Sequence, residues 1–188
     1  MFCYAFPSVL RENLNKVIEV MPNNTFNNVS ASTSDNIIAY IFDDNAIEFP
    51  YRMYFLDISD AEYEKLNQTQ KQIMCCIYTR SCNGYIREKY LRKLLDMPFE
   101  QWTIPFIVKL CDEYVLEILE IIYNKLKGRD NTDIQDFCLK NKGTISKSYS
   151  RMISYWNEYY RNYEFDFKKY IGRCLFRECF GYNRTFER

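Results

Sequence analysis

The 188-residue sequence contains no histidine. Histidine is the usual general base of hydrolases, the commonest metal ligand and the side chain that titrates near neutral pH, so most designs for such chemistry are excluded. A cysteine nucleophile normally takes its activation from a neighbouring base, usually histidine, and is excluded in that form as well. Glycine and proline are scarce, at five each. Many-stranded sandwiches lean on both for tight turns, so their scarcity favours long helices, with Asn carrying much of the turn work. The few glycines are too isolated for a phosphate-cradling loop or a dinucleotide fingerprint. No apolar run reaches the length of a membrane span. Met1 to Pro7 lack the basic start and long apolar core of a secretory leader.

What is present is apolar and aromatic. Hydrophobic residues make up 47% of the chain and aromatics 18%, enough for a sizeable core. The length predicts a single domain over 1–188. Within it, 1–58 reads as an N-terminal helix followed by an irregular and extended segment, and 59–188 as helical repeats. The formal net charge is zero, but the charge is unevenly spread. Residues 1–50 carry a net −4 and residues 139–188 a net +6. The eight cysteines show no pair of close doublets of the kind a structural zinc site needs. They read as small buried hydrophobes and free thiols. With no export signal, the expected location is cytoplasmic, and the sequons at Asn23, Asn28, Asn67 and Asn183 read as coincidences of composition. No cofactor and no metal are implied.

Along the chain, Ser8 can cap a helix whose apolar positions are Val9, Leu10, Leu14, Val17, Ile18 and Met21. Pro22 and a polar run to Asp35 end it. Ile37 to Phe42 is a short apolar run that fits a strand or a helical turn equally. Phe49 to Phe55 reads as extended, because Phe49 precedes a proline. Ser59 and Glu62 form a capping box for helical structure to about Arg80, with a break near Asn67. Gly84, in the turn that follows, can take positive φ. Further helices are predicted over 85–95, 104–111, 114–127, 132–140, 144–160 and 165–180, with Gly128 and Gly181 as stops.

Two of these helices echo each other twenty-nine residues apart. Ile86 corresponds to Val115, Tyr90 to Leu119 and Leu94 to Tyr123. A period of this length is the mark of stacked helical hairpins. The segment Asn83 to Leu94, with Ile86-Arg87 after a small turn residue, resembles the second helix of a HEAT-type repeat of the short bacterial variety. Ile104 to Asp112 resembles the first helix of the next unit, ending in the corner Asp, and Tyr114 to Leu119 the helix after it. The resemblance covers about residues 83–127. It implies an all-α fold, a short α-α solenoid, and a binding scaffold without catalytic residues. Leu116 stands where such helices usually carry Arg, and Tyr90 and Leu119 where they carry small residues, which would splay the helices.

The leading functional expectation is therefore a non-enzymatic interaction protein or scaffold with a protein partner. Its contact residues are expected to be exposed ones on the repeat helices: Arg87, Arg92, Glu113, Glu117 and Glu120. The spacing of the three glutamates places them on one helical face. The alternative is nucleic-acid binding by the C-terminal helices. There Tyr149, Tyr155, Trp156, Tyr159, Tyr160, Tyr163, Phe165 and Tyr170 interleave with Lys147, Arg151, Arg161, Lys168, Lys169, Arg173 and Arg177. Aromatics stack on bases and cations meet phosphates. A third reading, carboxylate or tyrosine catalysis, rests on no motif.

Overall fold

Ile73 to Tyr78 are six consecutive apolar residues, so the helix that carries them has no polar face over that stretch and must be covered on all sides. That helix organises the first part of the molecule. The computed structural model describes residues 2–22 and 31–182. The chain is mostly helical, with a small antiparallel strand part, and it divides into two compact units, Met1–Thr103 and Ile104–Arg188. The sequons at Asn23, Asn28 and Asn183, and most of the polar run before Asp35, lie outside the described residues.

In the first unit a 3-10 turn, Ser8–Leu10, leads into α1 (Arg11–Val20), which buries Leu14 and Val17. Four strands follow: β1 (Ser32–Thr33), β2 (Ile37–Phe42), β3 (Asn45–Pro50) and β4 (Met53–Tyr54). The run left open between strand and helix is thus a strand. β2 and β3 form an antiparallel hairpin in the register Ile37↔Pro50 to Phe42↔Asn45. Its two-residue turn places Asp43 and Asp44 at φ 48° and 58°, a left-handed pair that Asp tolerates better than most residues. β1 pairs with β4, and β4 continues into a bridge between Met53 and Ser81.

Ser59 accepts from the Glu62 amide as expected, but α2 (Asp60–Glu64) is one short turn. The break near Asn67 is the start of α3 (Gln68–Tyr78), where Asn67 and Gln70 cap each other reciprocally. Every residue of α3 from Gln72 to Tyr78 is buried. Each large apolar side chain among them, such as Ile73, Met74 and Ile77, contributes roughly 1.5–3 kcal/mol. α1 and α4 (Gly84–Asp96) both pack on α3. Asn83 caps α4 through the Tyr85 amide. Gly84 is its first residue and has no positive φ, so its expected left-handed role is corrected.

In the second unit α5 (Ile104–Leu110) is buried along its whole length, Lys109 included. α6 begins at Leu116 and runs to Leu126, with Ile118, Leu119, Ile122 and Leu126 inside. Gly128 (φ 74°) ends it. α7 (Thr132–Lys140) and α8 (Lys142–Tyr155) follow. α8 runs into a π-helical turn, Trp156–Tyr160, closed by the Arg161 amide on the Trp156 carbonyl at 2.8 Å. The last helix, α9 (Ile171–Glu178), is shorter than the expected 165–180. Residues 161–170 are held in turns instead. Asp166 accepts from the Lys168 amide through its side chain and from the Lys169 amide through its carbonyl. Such local bonds compete with a helix. Gly172 permits close packing of α8 and α9, since a Cβ there would lie 2.9 Å from Met152 Cγ.

The echo positions agree in burial at two of the three pairs: Ile86 and Val115 are half-buried and Tyr90 and Leu119 fully buried, whereas Leu94 is buried and Tyr123 only half-buried. Their helices have different partners. α4 leans on α3, and the most extensive helical neighbour of α6 is α9, the last helix rather than the next. Among the described residues no helix is long and apolar enough to cross a membrane.

Candidate functional site

The second unit has a buried polar anchor beneath its aromatic surface. Lys109 and Asp112 are both buried and form an ion pair. Asp112 also accepts from Ser148 Oγ at 3.0 Å and from Arg151 Nη1 at 2.8 Å. Three donors on one buried carboxylate supply the compensation that a buried charge needs. They tie the end of α5 to α8 and fix where α8 delivers its C-terminal turn.

That turn spreads aromatic rings over the surface. Tyr114 meets Tyr155 and Tyr159, each at 5.9 Å between ring centroids. Tyr160 donates its hydroxyl to the Tyr114 carbonyl and lies 5.8 Å from Tyr170. Trp156 packs on Phe167 at 4.8 Å and donates from Nε1 to the Glu164 carbonyl at 3.0 Å. This last bond pins the 161–170 segment and leaves the side chains flanking Glu164 pointing outward. Tyr163 is 87% exposed and Phe165 79%, with Tyr114 and Tyr159 about half exposed. Burial pushes the Tyr160 and Tyr170 hydroxyls up from their ordinary pKa, with coulombic repulsion from Glu117 adding to the shift at Tyr160. A π-turn is rare and is frequent at functional positions.

The seven cations expected here have different roles. Lys147, Lys168 and Lys169 are exposed and make no ion pair among the described residues. Arg161 bonds Asn157 at 3.0 Å. Arg151 is held by Asp112, and Arg177 pairs with its neighbour Glu178. The Arg173 guanidinium lies 5.7 Å from the Phe167 ring centroid.

The five residues expected on the repeat helices do not form one exposed set. Arg87 is 2% exposed and donates to the Ser81 and Cys82 carbonyls at 2.8 and 3.2 Å, closing the turn before α4. Glu113 is likewise 2% exposed, and it precedes α6, so it stands off the stripe of Glu117 and Glu120. The expectation that Arg87 and Glu113 are surface contacts is corrected: both are buried, Arg87 with its guanidinium bonded back onto the turn before α4. Arg92 is exposed and bonds Glu88 at 2.8 Å, and Glu117 and Glu120 are exposed.

Sequence reasoning missed the Lys109–Asp112–Ser148–Arg151 anchor. Its one visible signal was a lysine inside the apolar run Ile104 to Cys111. The cysteines are free thiols. Burial pushes Cys75 up to about 12 and also raises Cys76, Cys111 and Cys138. Thiols held protonated in this way are poor nucleophiles. Among the described residues no group of three or more acidic or thiol side chains is placed to hold a metal. In the first unit a cavity of about 400 Å³ lies between the N-terminal segment and the hairpin. Arg11 and Asp43, of opposite charge, both line it, so it favours neither sign of ligand.

Fold and surface together define a mostly helical protein of two units with an aromatic, cation-flanked face on the second. No known protein family, curated protein or solved structure matches the chain.

Proposed function

We propose that this chain is a non-enzymatic, cytoplasmic interaction protein, a scaffold built on HEAT-like helical hairpins whose working face is the aromatic surface of the second unit. The observation that carries the reading is the pair of exposed rings, Tyr163 and Phe165, on a segment pinned by Trp156. Large aromatics held rigid in water are the residues from which binding hot spots are made. The free thiols and the absence of a membrane-length helix among the described residues fit the cytoplasm. The test is capture. The immobilised full chain and its Tyr163→Ala/Phe165→Ala variant are exposed to a lysate of the cell that makes the protein. A retained protein that the variant loses supports the reading, and identical retention by both chains sinks it.

The second reading is nucleic-acid binding. It is favoured by Lys168 and Lys169, which are exposed, make no ion pair among the described residues and belong to the same 161–170 segment as the exposed Tyr163 and Phe165. It requires retention of an oligonucleotide at low salt and a steep loss of affinity as salt rises. No retention at low salt ends it.

A further inference from the structure

The cavity of about 400 Å³ in the first unit has two walls, each tied down by hydrogen bonds and each carrying a charge of opposite sign. One wall is the N-terminal segment. There the Tyr4 carbonyl accepts from the Glu48 amide of β3 at 2.9 Å, and the Leu10 amide closes a turn on the Pro7 carbonyl at 3.0 Å. This segment leads into Arg11, the first residue of α1. The other wall is the β2–β3 turn, where Asn45 Nδ2 donates to the Asp43 carbonyl at 2.7 Å. Arg11 and Asp43 both line the cavity, yet neither side chain makes an ion pair, with the other or with any other described residue. Apolar lining comes from the buried Phe6 and Ile47, and from Tyr4 and Val9, which are 73% and 83% exposed. A second cavity of about 290 Å³ shares Tyr4, Phe6 and Arg11 with the first and extends to the buried Leu14, so the two adjoin at Arg11.

We infer that this cavity binds a small zwitterion with an apolar side chain, a free amino acid or a short peptide, with its carboxylate on Arg11 and its ammonium on Asp43. A ligand of one sign gains at one wall and is repelled at the other. An uncharged apolar ligand takes water from both charges and returns no partner to either. A zwitterion satisfies both: a guanidinium takes a carboxylate through paired N–H donors, and the Asp43 carboxylate accepts from an ammonium. The ligand's side chain then covers apolar area of Tyr4 and Val9, and the adjoining cavity leaves room for it toward Leu14. The volume falls within the range of small-ligand sites, about 300–1,000 Å³. Both walls are already held within the fold, so little ordering accompanies binding. The site lies wholly in the first unit and does not depend on the aromatic surface of the second.

The experiment is isothermal titration calorimetry on the full chain with L-leucine and L-leucyl-L-leucine. Each is also titrated as its N-acetyl form, which has no ammonium, and as its C-terminal amide, which has no carboxylate. At least one of the two zwitterions is expected to bind about tenfold more tightly than either of its blocked forms. Whichever binds more tightly identifies the source, free amino acid or peptide. Arg11→Gln should weaken that zwitterion about tenfold and leave its amide unchanged, because the amide has no carboxylate to lose. Asp43→Asn keeps a residue that tolerates the left-handed φ of the turn. It should weaken the zwitterion about tenfold and leave the N-acetyl form unchanged. An unchanged thermal midpoint shows that each variant is folded. No heat from either zwitterion at millimolar concentration, blocked forms that bind as tightly as the zwitterions, or variants that weaken every form alike overturn the assignment.

Discussion

Tyrosines and cations cluster in both units, and the two clusters have opposite fates. In the first, Tyr63, Tyr78 and Tyr90 are buried. Tyr78 stacks on Tyr90 at 4.5 Å. Tyr90 donates to Asp57 at 2.6 Å, Tyr78 to the Leu56 carbonyl at 2.7 Å, and the Tyr63 hydroxyl meets Cys75 Sγ at 3.5 Å. Lys93 Nζ sits 3.8 Å from the Tyr63 ring centroid, and Lys89 bonds Asp57 at 2.7 Å. Each hydroxyl has a partner inside the unit. In the second unit Tyr114, Tyr159 and Tyr163 lie half or more in water, and the buried hydroxyl of Tyr170 has no partner among the described residues. The difference between a core and an exposed aromatic surface is therefore not one of composition. It lies in how much of each ring the rest of its unit covers.

The sharpest way to break the comparison is to attack the support of each cluster. Asp112→Ala leaves the Lys109 ammonium buried without its carboxylate and should cost about 3–5 kcal/mol, read as a drop in the urea midpoint together with loss of the aromatic surface's near-UV circular dichroism. Tyr90→Ala empties the centre of the first cluster and should cost a similar ~3–5 kcal/mol, leaving that surface signal in place at low urea. If Tyr90→Ala proves harmless, the first cluster is not a core.

The next effect is in pH. Burial holds the Cys75 thiol at about 12, against an ordinary 9.0. A folded-state value above the unfolded one means that the stabilisation is whole below about pH 9 and is lost as pH rises toward 12. Over that window Cys75→Ala should flatten the fall in stability by up to about 1.4 kcal/mol per pH unit. Cys179 in the second unit is pushed only to about 11, so Cys179→Ala should flatten the fall over a narrower range. Urea titrations across alkaline pH check both, and an unchanged slope for Cys75→Ala refutes the cause assigned. The smallest effect belongs to the exposed rings. Tyr163→Ala/Phe165→Ala should change stability by no more than about 0.5 kcal/mol, whatever it does to binding. A large loss would show those rings to be structural and erase the contrast.

Much of the local structure was legible in advance. The break at Asn67, the stops at Gly128 and Gly181 and the helices around Ile134 and Met152 depend on caps, turn residues and periodicity within a few residues. The β2–β3 pairing was not, because a short apolar run has no period of its own and takes its form from a partner strand. The 161–170 segment was misread for a related reason: Phe167, Ile171 and Leu175 keep helical spacing, while Asp166 and the Trp156 bond to Glu164 hold the backbone in turns. Of the candidate site, the aromatic and basic residue types were visible. The anchor beneath them was not, since Asp112 and Arg151 are 39 residues apart.

By itself the sequence determined that the protein is mostly helical, where most of those helices stop, and that histidine chemistry is closed to it, because these follow from residue type and near neighbours. Only the tertiary structure decided that Arg87 and Glu113 are covered, that α6 leans on α9, and that Tyr163 and Phe165 face water while Tyr78 and Tyr90 do not. Exposure is a property of what packs against a side chain, which residue type alone does not fix; α6, for one, is covered by α9, an element well separated from it in sequence.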